Sequence, residues 1–324
     1  MTAAGTNAVG RRGVEVPFDA LPELGSSGLR HAWDVFGRDD EIGTLNRVTA
    51  EATRAAAALV RTGERVSLDL PITIPDPPLF NRQPVSHVVY ELDRNTWDDR
   101  LDGLQLQGST QWDGLRHIRA REFGFYGGWQ GPPDSEPTRL GIAHWTDHGI
   151  VTRGVLVDLT GGDSLDPFRT RAFTAEQLAD AVATQCGPLR PGDVLCIRTG
   201  WTSRYQAMTA EQRRALAARD ADAATRQWAG LAGSDDMARF LWDAGVAAVV
   251  CDNPALEVAP GDPRVGDLHR RLIPCLGFAV GELFALDGLL AACRRLGRRE
   301  FLFVSVPMKL AGGVGSPGNA VAVL

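Results

Sequence analysis

Lysine is almost missing from this chain: among its 34 basic residues only Lys309 is a lysine, and the rest are arginines. A basic surplus is missing as well. The 34 Lys+Arg face 40 Asp+Glu, a formal net charge of −6, which argues against a nucleic-acid partner held by a broad positive field. No stretch approaches the roughly 20 apolar residues of a membrane span. The segment Met1–Gly13 has no apolar h-region, so it does not read as a signal peptide. It is small, polar and twice basic, and reads as a flexible leader before one domain, 14–324. The five cysteines form no CxxC pair. Their odd number and apolar neighbours, as in Val194-Leu-Cys196-Ile197, suggest buried reduced thiols and a cytoplasmic location. There is no internal repeat and no low-complexity linker.

What is present is an ordinary globular composition of 324 residues, 44 % hydrophobic and 23 % charged. That is enough chain for a sizeable core and too apolar for disorder. The 36 Gly and eight Trp suggest an aromatic-walled pocket built from tight loops.

Helix and strand signals alternate. Thr174-Ala-Glu-Gln177 and Thr209-Ala-Glu-Gln212 are capping boxes. The first opens a helix ending at Gly187-Pro188, and Val194–Thr199 is then a short buried strand. Ser234 caps a helix with Met237, Phe240 and Leu241 on its apolar face. Ala247–Cys251 reads as a strand, Leu283–Cys293 as a helix and Phe301–Val306 as a strand. In the first half, Thr49 caps a helix over Ala50–Arg61, and Val85–Leu92 is a strand. The pattern is that of one α/β domain with a loop-rich first half.

Loops of such domains carry chemistry. In Leu106–His117, Gln107, Gln111 and Asp113 share parity, so an extended segment would turn them to one side, with His117 four residues beyond Asp113. The spacing alone also fits a Gly-Ser-Thr turn with satisfied hydrogen bonds.

The order of several segments resembles the cyclase family, whose better-known branches are metal-dependent kynurenine formamidases and isatin hydrolases. The family's His-x-Gly-Thr-His-x-Asp signature aligns with Gln107-Gly-Ser-Thr-Gln111-Trp-Asp113. Similar pieces follow: Gly192-Asp-Val-Leu-Cys-Ile-Arg-Thr-Gly-Trp201, Gly245–Asp252, His269-Arg-Arg-Leu-Ile273, Glu282–Leu289 and Pro307–Pro317. Trp33–Asn46 and Gly149–Val155 resemble the family's longer branch.

The resemblance implies a single α/β domain with a mixed central sheet (a swivelling β/β/α fold), a homodimer or homotetramer, and a metal site. The ligand positions that match are Asp113, His269 and Glu282. The two signature histidines are replaced by Gln107 and Gln111, whose amides are weaker ligands than imidazole. One divalent ion (Mn, Zn or Fe) or none is therefore expected, and two are not.

Three functions follow from the same residues. The first is hydrolysis of a cyclic or aryl amide, lactone or ester, with Asp113, His117 and Glu282 as the catalytic groups. The second is metal-free cyclisation or dehydration of a polyketide-like or aromatic secondary metabolite. There His117, oriented by Asp113, would abstract a proton beside a carbonyl. The third is a catalytically silent binding protein. Gln107, Gln111, Trp112, Phe125 and Tyr126 are expected to contact an aromatic or cyclic small molecule, with Trp33 in a lid. His144, Asp147 and His148 have the look of a metal motif, but the family pattern does not use them.

Overall fold

The computed structural model describes residues 16–132, 134–162 and 164–324. The expected leader lies outside them. Thirteen strands occur in chain order: β1 (Arg65–Ser67), β2 (Ser86–Asp93), β3 (Thr96–Asp102), β4 (Gln111–Asp113), β5 (Ile150–Asp158), β6 (Arg171–Phe173), β7 (Val194–Arg198), β8 (Ala229–Leu231), β9 (Ala248–Cys251), β10 (Ala279–Glu282), β11 (Glu300–Ser305), β12 (Gly315–Pro317) and β13 (Ala320–Val323). Nine build one mixed sheet in the order β1-β13-β11-β5-β7-β9-β10-β4-β12. The strands β5, β7, β9 and β10 pair in parallel. Covered on both faces, they read as near-continuous apolar runs. The other pairings in this sheet are antiparallel.

The sheet curls on itself. The edge strand β12 and the next-to-edge strand β13 at the opposite end are joined by only Gly318 and Asn319. Trp112 ties the closure, since its indole N–H donates to Ser305 Oγ at 2.9 Å and to the Gly318 carbonyl at 3.0 Å. This is the mixed α/β fold expected from the sequence.

The helices are α1 (Ala50–Ala57), α2 (Ala143–His148), α3 (Ala175–Gln185), α4 (Trp201–Gln206), α5 (Ala210–Ala221), α6 (Asp235–Asp243), α7 (Leu268–Arg270, running on as a wider turn through Leu276) and α8 (Asp287–Leu296). Both capping boxes are formed, at Thr174 and Thr209. Ser234 caps α6, whose Met237 and Leu241 are buried. No helix among the described residues is long and apolar enough to cross a membrane.

Two helices differ from expectation. The first, α1, stops at Ala57, and the chain turns through Leu59 and Val60 in tighter bonds to Ala56 and Ala57. The second, α8, begins at Asp287 instead of Leu283. The N–H groups of Leu283, Phe284 and Ala285 donate to Asn253, Cys251 and Leu68, and Leu283 has φ +54°. These residues extend the sheet edge into a loop, so Glu282 ends a strand and does not open a helix.

The main core lies on the sheet. A smaller apolar cluster, including Leu79, Trp201, Tyr205 and Trp228, sits under the loops that wall the site.

Candidate active site

The pairing of β4 with β10 sets the site. Glu282 stands opposite Gln111, and Val280 opposite Asp113. Directly opposed residues of an antiparallel pair share a face, so Gln111, Asp113 and Glu282 point the same way. The parity reading holds for Gln111 and Asp113 and fails for Gln107. That residue precedes the strand, inside a turn closed by the Gly108 N–H on the Gln105 carbonyl. Its amide nitrogen lies over Gly315, 2.6 Å from where a Cβ on that glycine would stand. Gln107 is not among the residues lining the cleft.

Alternation along β4 sends Trp112 to the opposite face, opposite Gly281 and Ser316. Gly281 has no room for a side chain, because a Cβ would stand 2.5 Å from Val250 Cγ1 and 2.6 Å from Phe284.

His269, on α7, completes the cluster. Its Nδ1 lies 2.7 Å from Glu257 Oε1 and its Nε2 2.8 Å from Glu282 Oε1. Asp113 Oδ2 is 3.8 Å from that Nε2 and 3.7 Å from His117 Nε2. Gln111 Nε2 donates to Glu282 Oε2 at 2.6 Å. Asp113, Gln111 and Glu282 are buried, whereas the His117 side chain is 31 % exposed. Gln111 Oε1 and Asp113 Oδ1 are buried without a hydrogen-bond partner, and buried polar atoms without partners are uncommon.

The charges are tightly linked. Burial pushes Glu282 up to about 7, and the Asp113 charge adds to this against His269 and Gln111. Burial would raise Asp113 too, but His117 and the bonded, charged His269 outweigh it and hold this carboxyl below its usual range. Burial would depress His269, yet the nearby Asp113 carboxylate and hydrogen bonds accepted by Glu257 and Glu282 lift it well above an ordinary imidazole. Two carboxylates whose environments push them apart make an acid/base pair. Both ring nitrogens of His269 thus face a carboxylate, Glu257 on one side and Glu282 on the other.

These groups floor a cleft of about 630 Å³, a size suited to a small molecule. Its walls include Phe80, Arg82, Arg121, Arg226, Trp228 and Glu257. The aromatic residues expected to wall a pocket are elsewhere. Trp112 packs in the core against Trp145, Phe284 and Phe303. Phe125 packs at a tilt against Trp129, and Tyr126 is fully buried beside Gly277. Trp33 is buried with its N–H on the Pro274 carbonyl at 2.7 Å, so it forms no lid. All four belong to the buried core, where the indole N–H groups of Trp112 and Trp33 are satisfied.

Phe80 and Trp228 are the aromatic pair of the cleft, edge to face at 5.9 Å. No motif marks them, nor Glu257 or Arg82; all lie in irregular segments or at their borders. His144 and His148 lie on α2, with His144 Nε2 on the Thr138 carbonyl at 3.0 Å, and neither lines the cleft.

Asp113, His269 and Glu282 each offer a ligand atom, all within 4.8 Å of one another; so do Glu257, Asp267 and His269. The first trio fits one divalent cation. Three protein ligands leave an open position, the orphaned Asp113 Oδ1 is available, and Glu257 on the far nitrogen of His269 is the carboxylate partner that orients a metal-binding imidazole.

The family model "Cyclase" (described as "Putative cyclase") matches residues 49–258. A crystal structure of a novel cyclase superposes with a TM-score of 0.78 at 30 % identity, covering 91 % of this chain and 99 % of that one. An isatin hydrolase bound to the product analogue thioisatinate gives 0.57 at 16 % identity, covering 85 % and 99 %. Isatin hydrolase A from Labrenzia aggregata, bound to benzyl benzoate, gives 0.57 at 15 % identity, covering 84 % and 98 %. At that identity the two hydrolases share the fold with this chain. None of the curated proteins matches the sequence. The family match spans most of the chain and includes Gln111 and Asp113, so this protein belongs to the cyclase family and is an enzyme of the hydrolase or cyclase kind.

Proposed function

We propose that this enzyme hydrolyses a cyclic or aryl amide, ester or lactone, with one divalent ion held by Asp113, His269 and Glu282. The observation that carries the reading is the convergence of these three ligand-type atoms within 4.8 Å on the floor of the cleft, with His117 beside Asp113. When bound, the ion would polarise the substrate carbonyl and make water a stronger nucleophile near neutral pH.

The chain's own groups do the remaining work. Glu257 fixes the His269 ring through Nδ1. The Gln111 amide holds Glu282 in one orientation. Asp113 faces His117 at 3.7 Å and steadies a proton on that ring. At the mouth of the cleft, His117 takes a proton from water and delivers it to the departing nitrogen or oxygen.

A second reading is favoured by one observation: both nitrogens of His269 already face carboxylates at hydrogen-bond distance, and while both carry protons no lone pair is left for an ion. In this metal-free form Glu282, raised to about 7, exchanges a proton at neutral pH. It and His117 would then serve proton abstraction beside a carbonyl, as in ring closure or dehydration.

A panel of formanilides, lactams, aryl esters and lactones, assayed with added Mn or Zn and with a chelator, separates the readings. Hydrolysis that chelation abolishes and metal restores is the expected result. Activity that survives chelation in protein free of metal would overturn the metal mechanism. Ligand binding without turnover of any substrate would leave a catalytically silent binding protein.

A further inference from the structure

We infer that the substrate carries a carboxylate, clasped between Arg82 and Arg226 while its planar body lies against Phe80 and Trp228. This rests on reading the cleft as the site of carbonyl chemistry, and it names the substrate class of that site.

The two guanidinium groups share one ring. Arg82 lies 5.0 Å and Arg226 4.6 Å from the centroid of Phe80, and all three residues line the cleft. The Arg82 backbone N–H donates to the Leu79 carbonyl, and its guanidinium makes no hydrogen bond or ion pair with a described residue. Arg226 donates its Nε to the Asp220 carbonyl at 2.8 Å, which leaves both terminal nitrogens uncommitted among the described residues. Burial lowers Arg82 from its usual range, against the pull of Glu282 and Asp113, and the charge of Arg226 lowers it further. Two like charges on a partly dry wall are costly unless an anion joins them.

Among the described residues the nearby acids are otherwise engaged: Asp220 is paired with Arg219. Glu282 has one oxygen on His269 and the other on Gln111, and Asp113 Oδ2 faces the two histidines. At the rim, Asp262 is paired with Arg264 and Asp267 with Arg270. The arginines therefore present forked donors to the cleft, the geometry that receives a carboxylate.

The wall itself is held at a cost. Phe80 has φ +61° and Asn81 φ +58°, a conformation unfavourable for a bulky side chain. It sets the Phe80 ring edge to face with Trp228 and within reach of both cations. A flat ring stacked there would bring its acid to the arginines and its scissile carbonyl toward the floor.

The test is binding, which does not depend on turnover. Benzoate and its neutral counterpart benzamide are titrated calorimetrically into the full chain. A chelator is present, so that no carboxylate is bound through an ion. Benzoate is expected to bind at least about tenfold more tightly than benzamide, and R82Q or R226Q each to weaken benzoate about 10- to 100-fold while leaving benzamide unchanged. Equal affinity of the wild-type protein for the two probes overturns the proposal without any variant. So does benzoate binding that ignores both substitutions in proteins with unchanged circular dichroism. Inorganic phosphate that displaces benzoate at lower concentration, with the same arginine dependence, overturns the carboxylate assignment. If the panel of carbonyl substrates fails while benzoate behaves as expected, the hydrolytic reading falls and the clasp stands.

Discussion

Replacing Glu257 by Gln isolates the link between His269 and the chemistry of the floor. In the native site Glu257 accepts from His269 Nδ1 through Oε1 and from the Leu268 N–H through Oε2. Gln has one carbonyl oxygen for these two donors. If that oxygen keeps the Leu268 N–H, the new NH2 group faces Nδ1, and donor meets donor. The clash is relieved when the ring gives up its Nδ1 proton, accepts from the amide and keeps its remaining proton on Nε2, still donating to Glu282. That tautomer withdraws the nitrogen an ion would use.

The lost bond, at 2.7 Å, has charge-assisted length. The Glu257 side chain is 20 % exposed, so the lower half of the usual range applies, about 1.5–2 kcal/mol. That corresponds to a metal affinity weakened about 10- to 30-fold. Titration of Zn or Mn against a competing chelator at fixed pH measures it, and thermal unfolding confirms that the loop after β9 is intact. Wild-type affinity together with wild-type turnover in the variant would refute the assigned role of Glu257.

Three further outcomes follow from the geometry. Asp113→Ala removes the carboxylate shared by His117 and His269 and should lower kcat about 100-fold or more while the protein still folds; unchanged turnover and ligand affinity would remove Asp113 from the site. Metal binding should tighten with pH. Below about 7 Glu282 holds a proton in the ion-free protein, and His269, raised well above its ordinary value, holds another. Binding should release roughly two protons below pH 7 and roughly one above it, so apparent affinity measured from pH 6 to 8 rises steeply and then less steeply; a flat profile would contradict it. Gly281→Ala puts a methyl into Val250 and Phe284, with an expected loss of about 1–3 kcal/mol by denaturant unfolding. Activity should fall with it, because Glu282 is the next residue; a fully stable, fully active variant would show that the strand tolerates the shift.

The fold was legible where its signals are local. Capping boxes at Thr174 and Thr209, and buried runs such as Val194–Ile197, depend on a few adjacent residues, and both formed as read. The aromatic cluster was misleading because composition cannot say which side of a strand a ring takes. Trp112 sits between Gln111 and Asp113, and the period of two that turns the polar pair to the cleft sends the indole to the core. The start of α8 was misread for a related reason. The run Leu283–Leu286 has helical spacing, but its N–H groups are claimed by Asn253, Cys251 and Leu68, partners far away in sequence. Arg82, Phe80 and Trp228 carry no spacing signal. They meet only because the loop from Pro71 to Pro84 and the chain entering β8 fold over the same satellite core.

The placement of the two glutamines bears on how many ions the floor could take. At Gln111 the amide nitrogen is committed to Glu282 Oε2 at 2.6 Å, so the side chain acts as a strut where the family signature has an imidazole. Its orphaned Oε1 is a neutral oxygen, able to supplement a ligand set but weak as its anchor. Gln107, over Gly315, does not line the cleft. A second ion would have to draw on the trio Glu257, Asp267 and His269. There His269 would be shared, the Asp267 carboxylate already caps α7 through the Arg270 N–H, and Glu257 already orients His269. Every donor recruited for a second ion would dismantle the support of the first. The floor is therefore built for one positive charge at a time beside His117, whether that charge is a divalent ion among Asp113, His269 and Glu282 or the proton that His269 carries in its place.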